Sequence, residues 1–176
     1  KPGDLLSISI PVLFDIESRT GIELQTEMYK NQFSLFLTGW REDSRAFTFE
    51  FNERGHQRYV VGEIDATSGE IIHLADEQVN TFFYYNNRFR YDIGDGEEML
   101  WISERDGWRH IYLHGDNGEI KHQITKGEWV VRDVDYVDEE KRVIYFTASG
   151  LVPGEDPYNL HYCRIGFNGD GFKDLT

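Results

Sequence analysis

Apolar and polar residues alternate with a period of two along most of the chain, in short runs. Ala46-Phe47-Thr48-Phe49-Glu50-Phe51 is the strictest case, one face aromatic and the other polar. Such alternation predicts a half-buried β-strand, because successive side chains of a strand point to opposite faces. Residues 5–16, 22–25, 33–37, 59–64 and 71–74 read as strands too, with Pro11 marking an edge or a bulge in the first. Turn-forming clusters at 17–21, 40–44, 52–56 and 65–70 separate them. The best-patterned stretch is 101–127. There an apolar run, a turn at Gly107, an alternating run through Ile111 and Leu113, a turn at 115–118 and a last run at 120–125 predict successive antiparallel hairpins. Only 23–31 offers a helical period, and it is short.

The strands come in sets of four. Glycines in the last hairpin of each set, Gly21, Gly69, Gly118 and Gly169, stand 48, 49 and 51 residues apart. Four short strands repeating at this interval predict β-propeller blades, each unable to bury its faces alone. The expected fold is all-β, a partial β-propeller of consecutive four-stranded antiparallel blades. Its blades are 29–77, 78–127 and 128–176, after the end of a preceding one in 1–28.

Composition narrows the partners. A net charge of −14 and a pI near 4.7 argue against a nucleic-acid surface, which needs clustered Lys and Arg. The acidic residues are spread through turns, where solvation accounts for them. No run of 18 apolar residues exists that could span a membrane as a helix, and no signal-peptide pattern is visible. A chain that starts at Lys1 reads as a processed product or an excised piece. The single Cys163 rules out an intramolecular disulfide and sits in an alternating run, which predicts a buried, inert thiol.

Candidate chemistry is sparse. His110 and His114 fall on one face of a strand, about 13–14 Å apart at the usual rise and too far to share a metal. His56, His73, His122 and His161 are spread over the three blades, with no carboxylate spacing that suggests a site. Trp108 and Arg109 could stack on a ligand. The structural alternative packs Trp108 on a neighbouring blade and pairs Arg109 with a turn carboxylate. Neither a metal nor a cofactor is expected, and no glycine-rich loop leads into a helix to cradle a phosphate.

Glu104-Arg105-Asp106-Gly107-Trp108-Arg109-His110-Ile111-Tyr112-Leu113, followed by Ile124-Thr125-Lys126-Gly127-Glu128-Trp129-Val130-Val131, resembles the amino-terminal β-propeller of the dipeptidyl peptidase IV family, in the prolyl oligopeptidase group of serine peptidases. Lys1-Pro2-Gly3-Asp4, Pro11-Val12-Leu13-Phe14-Asp15 and Asp138-Glu139-Glu140-Lys141 support the match. The resemblance implies an eight-bladed propeller joined to a carboxy-terminal α/β-hydrolase domain. Such an enzyme removes dipeptides from peptide amino termini, preferring Pro or Ala at the second position. This chain would supply about three blades, wall the substrate chamber and gate access, with peptide substrate and hydrolase domain as its partners in the parent.

No catalytic residue is expected here, because no Gly-x-Ser-x-Gly nucleophile elbow occurs. The family's paired-Glu segment for the substrate amine is expected upstream of Lys1. Glu97-Glu98 and Glu139-Glu140 are pairs in predicted turns, where solvation accounts for them. Val79-Asn80-Thr81-Phe82 matches a family loop that offers an aromatic to the extended substrate pocket, making Phe82 the substrate-binding candidate; the Arg that follows in some members is Phe83 here. The structural alternative packs both rings between blades. The resemblance also implies a periplasmic, cell-envelope or secreted location. An arc of blades exposes two apolar end faces, so self-association is expected. A propeller that serves as a protein-interaction module without a peptidase domain is the alternative function.

Overall fold

The computed structural model of the chain describes residue 3 and residues 6–176. The loop expected at Lys1, Pro2 and Asp4 and the strand start at Leu5 lie outside the described residues. The protein is all-β; the described residues form three four-stranded antiparallel sheets and one two-stranded hairpin, in two compact units, Lys1–Asn86 and Asn87–Thr176.

The first unit opens with the hairpin of β1 (Leu13–Asp15) and β2 (Thr20–Ile22). The strand expected over 5–16 therefore shrinks to three residues, and that expected over 22–25 gives way to a strand ending at Ile22. A ladder needs a partner, and Pro11 has no N–H to offer one. Instead the buried Gln32 side chain clasps the Ser9 backbone: Ser9 N donates to Oε1 at 2.6 Å, and Nε2 donates to the Ser9 carbonyl at 3.0 Å. The helical candidate at 23–31 is only a 3-10 turn, Glu27–Tyr29.

A meander follows: β3 (Gln32–Trp40), β4 (Ala46–Glu53), β5 (Arg58–Asp65) and β6 (Ile71–Gln78). Trp40 closes β3 rather than opening a turn, and its ring leans on Phe47 at 5.1 Å. Phe47, Phe49 and Phe51 of β4 pack with Val60, Ile64, Tyr29 and Leu13 in the core of this unit. The face expected to be polar and wet is buried as well. Its groups are satisfied instead by protein: Thr48 bonds Thr38 at 2.5 Å, Glu50 accepts from the Tyr59 hydroxyl, and Asn52 bonds His56. Burying polar groups is tolerable when their hydrogen bonds are met.

The second unit holds two sheets. One is β7 (Arg90–Ile93), β8 (Glu98–Ser103), β9 (His110–Gly115) and β10 (Ile120–Gln123); the other is β11 (Val130–Asp138), β12 (Val143–Ser149), β13 (Leu160–Gly166) and β14 (Lys173–Asp174). They share one core, with Leu100, Ile102, Ile111 and Leu113 on one side and Ile144, Phe146, Ala148, Cys163 and Ile165 on the other. Hydrogen bonds cross between them, among them Val131 N to the Arg109 carbonyl at 2.9 Å and His122 Nε2 to the Phe167 carbonyl at 2.6 Å. Both faces of β8 and β9 are buried. The outer face of the last sheet is not, and Tyr136, Leu160 and Tyr162 stay exposed on it.

The glycine period has a structural cause in three of its four positions. Gly69, Gly118 and Gly169 take left-handed φ values of 73°, 82° and 83° in the last hairpin of each sheet. Gly69 N closes its turn onto the Asp65 carbonyl four residues back, while Gly118 N and Gly169 N close theirs onto Gly115 and Gly166, three residues back. Gly21 breaks the pattern. It lies in β2 opposite Phe14, and Arg19 takes the left-handed turn position at φ 59°. The side chain of Asp15 accepts from Ser18 N at 2.7 Å, just as that of Asp65 accepts from Ser68 N at 2.6 Å. The hairpins correspond, and Arg19 stands where the others use glycine.

Candidate functional site

Phe82 belongs to a half-exposed cluster of rings centred on His56. The β4–β5 turn places that histidine: Gly55 and His56 both have positive φ, and the His56 N–H donates to the Glu53 carbonyl at 2.9 Å. Its Nδ1 bonds Asn52 Oδ1 at 3.1 Å, which fixes the ring. Tyr85 stacks on it at 4.9 Å, Phe33 meets it edge-on at 4.6 Å and Phe82 leans on it at 5.2 Å. The turn also anchors the segment that carries Phe82. Val79 N donates to the Gln57 carbonyl at 2.9 Å, Phe83 N to the His56 carbonyl at 2.7 Å, and Gln57 Nε2 to the Asn80 carbonyl at 3.2 Å.

The two adjacent phenylalanines part company. Phe83 turns inward and stacks on the buried Tyr59 at 4.9 Å. Phe82 is 51% exposed, and Phe33 48%. The patch can offer flat apolar faces to a ring or an alkyl group, and dispersion is its chemistry. The sequence resemblance names Phe82 as a candidate and does not single out Phe33, His56 or Tyr85, which cluster with it. Only Gly55-His56, a residue with a side chain placed in a turn that forces positive φ, could have hinted at it.

The Trp-Arg-His stretch is structural. His110 is fully buried; its Nε2 donates to the Gly127 carbonyl at 2.9 Å, and its Nδ1 lies 3.0 Å from Thr125 Oγ1. Because the carbonyl can only accept, Nε2 carries a proton. His114 is buried on the same strand. Arg109 does not pair with a turn carboxylate. Its guanidinium donates to the backbone carbonyls of Asn87 at 2.6 Å, Arg132 at 2.8 Å and Val131, and burial lowers its pKa. A planar fork of donors suits a point where three backbone carbonyls converge. Trp108 stays 40% exposed, and the indole at the junction of the two sheets is Trp129, edge-on to His110 and stacked on Phe146.

Three further expectations are corrected. Glu98 lies in β8 rather than a turn, 2.9 Å from Lys121 and 2.7 Å from Arg142. Burial raises its pKa, but the two cations prevail and lower it. His73 does have a carboxylate: the Tyr29 hydroxyl bonds His73 Nε2 at 2.8 Å, His73 Nδ1 lies 3.3 Å from Asp76, and Arg58 grips Asp76 through both oxygens at 2.9 and 2.6 Å. Tyr29 is pushed up to about 12, chiefly by burial, so its hydroxyl donates. His161 has two carboxylates, Glu155 and Asp174. Glu139 and Glu140 do lie in a turn, where Glu139 accepts from the Tyr91 hydroxyl at 2.8 Å. Cys163 is buried, and burial, then Asp174, pushes its thiol up to about 11. Among the described residues, no three His, Cys, Asp or Glu side chains converge as a metal-ligand set.

Two grooves occupy similar places, where the segment leaving β2 or β10 passes the last hairpin of the next sheet. The first, about 660 Å³, is lined by Glu23, Met28, Tyr29, Gly69 and His73; the second, about 350 Å³, by Gln123, Thr125, Trp129, Gly169 and Phe172.

The sequence model of the dipeptidyl peptidase IV (DPP IV) N-terminal region matches residues 11–176. Dipeptidyl peptidase 4 of Trichophyton equinum is 41% identical over 90 residues, which cover 51% of this chain and 10% of that protein. The Trichophyton rubrum enzyme is 36% identical over a stretch of the same length and coverage. The chain thus spans about a tenth of the length of these curated relatives. The crystal structure of Porphyromonas gingivalis dipeptidyl peptidase 4 superimposes with a TM-score of 0.69 at 16% identity, covering 94% of this chain and 22% of that one, a likeness of fold.

Proposed function

Because the chain belongs to the family of the dipeptidyl peptidase IV N-terminal region, we propose that it is a non-catalytic propeller segment of a serine exopeptidase that releases dipeptides from peptide amino termini. It walls the substrate chamber and limits access to it, next to a hydrolase domain of the parent chain. The observation that carries this reading is the family match over 11–176, joined to a sequence without a nucleophile elbow. On the same reading Phe82 offers its exposed ring to the bound peptide, with His56 and Tyr85 holding it in place. The parent is placed in the periplasm, the cell envelope or the medium.

The test compares the 176-residue chain with the polypeptide encoded when the reading frame is followed past Thr176. The chain alone leaves Gly-Pro and Ala-Pro chromogenic substrates intact, and the longer polypeptide cleaves them. In the latter, Phe82→Ala raises KM about two- to tenfold, the worth of one aromatic contact, with kcat little changed. Hydrolysis by the chain alone, or a closed ring followed by a stop codon, overturns the reading and favours the interaction module.

The chain by itself self-associates on this reading. The outer face of the last sheet is bare, and Leu6, Ile8, Ile10, Val12, Phe14 and Ile16 form an exposed apolar row in the first unit. Sedimentation velocity over a concentration series is expected to show mass above the monomer; a monomer throughout refutes it.

A further inference from the structure

The longest connection within the last sheet runs from β12 to β13 over residues 150–159, and it contains Pro153, Pro157 and a Tyr158 that is 90% exposed. Its hydrogen bonds largely close on themselves: Glu155 N to Val152, Asn159 N to Asp156, Tyr158 N to the Asp156 side chain and Asn159 Nδ2 to Glu155. Leu151 packs on the core at its start. Among the described residues, the polar tie from its middle back to the sheet is Glu155 Oε2 to His161 Nε2 at 2.9 Å. The other ring nitrogen, Nδ1, lies 2.7 Å from Asp174 Oδ2 on the edge strand β14, with Thr176 Oγ1 at 3.4 Å.

Carboxylate oxygens only accept. A ring with a carboxylate on each nitrogen fills both bonds only when both nitrogens carry protons. We propose that His161 is a proton-operated latch: as the imidazolium it clamps the 150–159 connection to the β13–β14 edge, and as the neutral ring it releases the connection.

The charged groups that face the ring are Glu155 from the connection and Asp174 from β14, while its cross-strand partner on β12, Ala148, has none. The Glu155 hydrogen bond, then that of Asp174, raises the pKa of His161 above the ordinary histidine value of about 6.5. A group whose pKa is raised by folding lends its stabilisation fully below its unfolded value and loses it as the pH climbs through the folded one. The latch is therefore shut in mildly acidic solution and opens on the alkaline side. For each pH unit by which the midpoint exceeds 6.5, the closed-to-open ratio changes about tenfold between the two limits.

The experiment pairs two titrations of the chain. One follows the His161 ring protons by NMR, assigned with His161→Gln. The other follows chymotryptic cleavage after Tyr158, normalised at each pH to cleavage of a peptide of sequence 150–161, with circular dichroism confirming that the fold persists. The expected result is a ring midpoint above 6.5 and normalised cleavage that rises through the same midpoint. At about pH 6, where the histidine is charged, His161→Gln and Glu155→Gln are both cut at the rate the wild type reaches only on the alkaline side. Cleavage that does not change with pH, or a ring midpoint at or below the ordinary value, overturns the latch. If either variant fails to fold, the two wild-type curves decide alone.

Discussion

Replacing Gly69 by Ala tests why glycine recurs about every fifty residues. The position has φ 73°, and a left-handed L-residue costs about 1–2 kcal/mol. A second cost comes from the neighbours. A Cβ on Gly69 would sit 2.7 Å from the Glu23 carbonyl oxygen, 2.8 Å from Ile22 and 2.9 Å from Leu24, so the segment leaving β2 must move. Overpacking of this kind costs about 1–3 kcal/mol more, for a total of about 2–5 kcal/mol.

Gly171 supplies the control, since it has φ 67° and nothing within 4 Å of its Cβ position. Gly171→Ala should cost only the backbone share, about 1–2 kcal/mol. Gly169, where a Cβ would lie 3.2 Å from the Ile124 carbonyl oxygen, should fall between the two. Urea denaturation of the three variants, read by circular dichroism with the slope held constant, gives the order directly. If Gly69→Ala costs no more than Gly171→Ala, the glycine serves only its own turn, and the close packing of hairpin on preceding segment has no part in the repeat.

Two other predictions concern titrating groups. Burial raises the Asp76 carboxyl, but hydrogen bonds from His73 and Arg58 outweigh it and hold the group far below the usual carboxylate range. Its contribution is present above the unfolded value and lost as the pH falls, so below about pH 4 the wild type should lose stability faster than Asp76→Asn; parallel urea midpoints across that range would refute this. The Cys163 thiol, at about 11, should resist a disulfide reagent at neutral pH until denaturant is added, and native-state labelling at the denatured-chain rate would contradict its burial.

Much of this was legible because β-structure writes a local signal. The alternation of 46–51 and the polar clusters around the turns depend on neighbours one or two residues away, and β4 through β6 lie where the pattern places them. The failures are informative. Residues 5–16 alternate as well as any strand, yet among the described residues of that range only Leu13–Asp15 pairs, because a strand requires a partner that its own sequence does not name. Gly21 fits the period by number, but the left-handed residue of that hairpin is Arg19, and only the backbone angles show it. The candidate site divides in the same way: Phe82 was named through a resemblance, but Phe33 of β3, His56 of the β4–β5 turn and Tyr85 of a later 3-10 turn meet only in space.

What the residues determined by themselves was the all-β class, the repeat, the family and the lack of a nucleophile elbow. The tertiary structure decided which polar groups could be buried. Thr48, Glu50 and Asn52 look solvent-bound in sequence and are interior, because the groups that satisfy them, Thr38, Tyr59 and His56, arrive from other strands and turns. It also decided that His161 lies between two carboxylates 6 and 13 positions away. Alternation is a property of one strand, while hydrogen-bond satisfaction and charge pairing belong to the space between strands, which no single stretch of sequence contains.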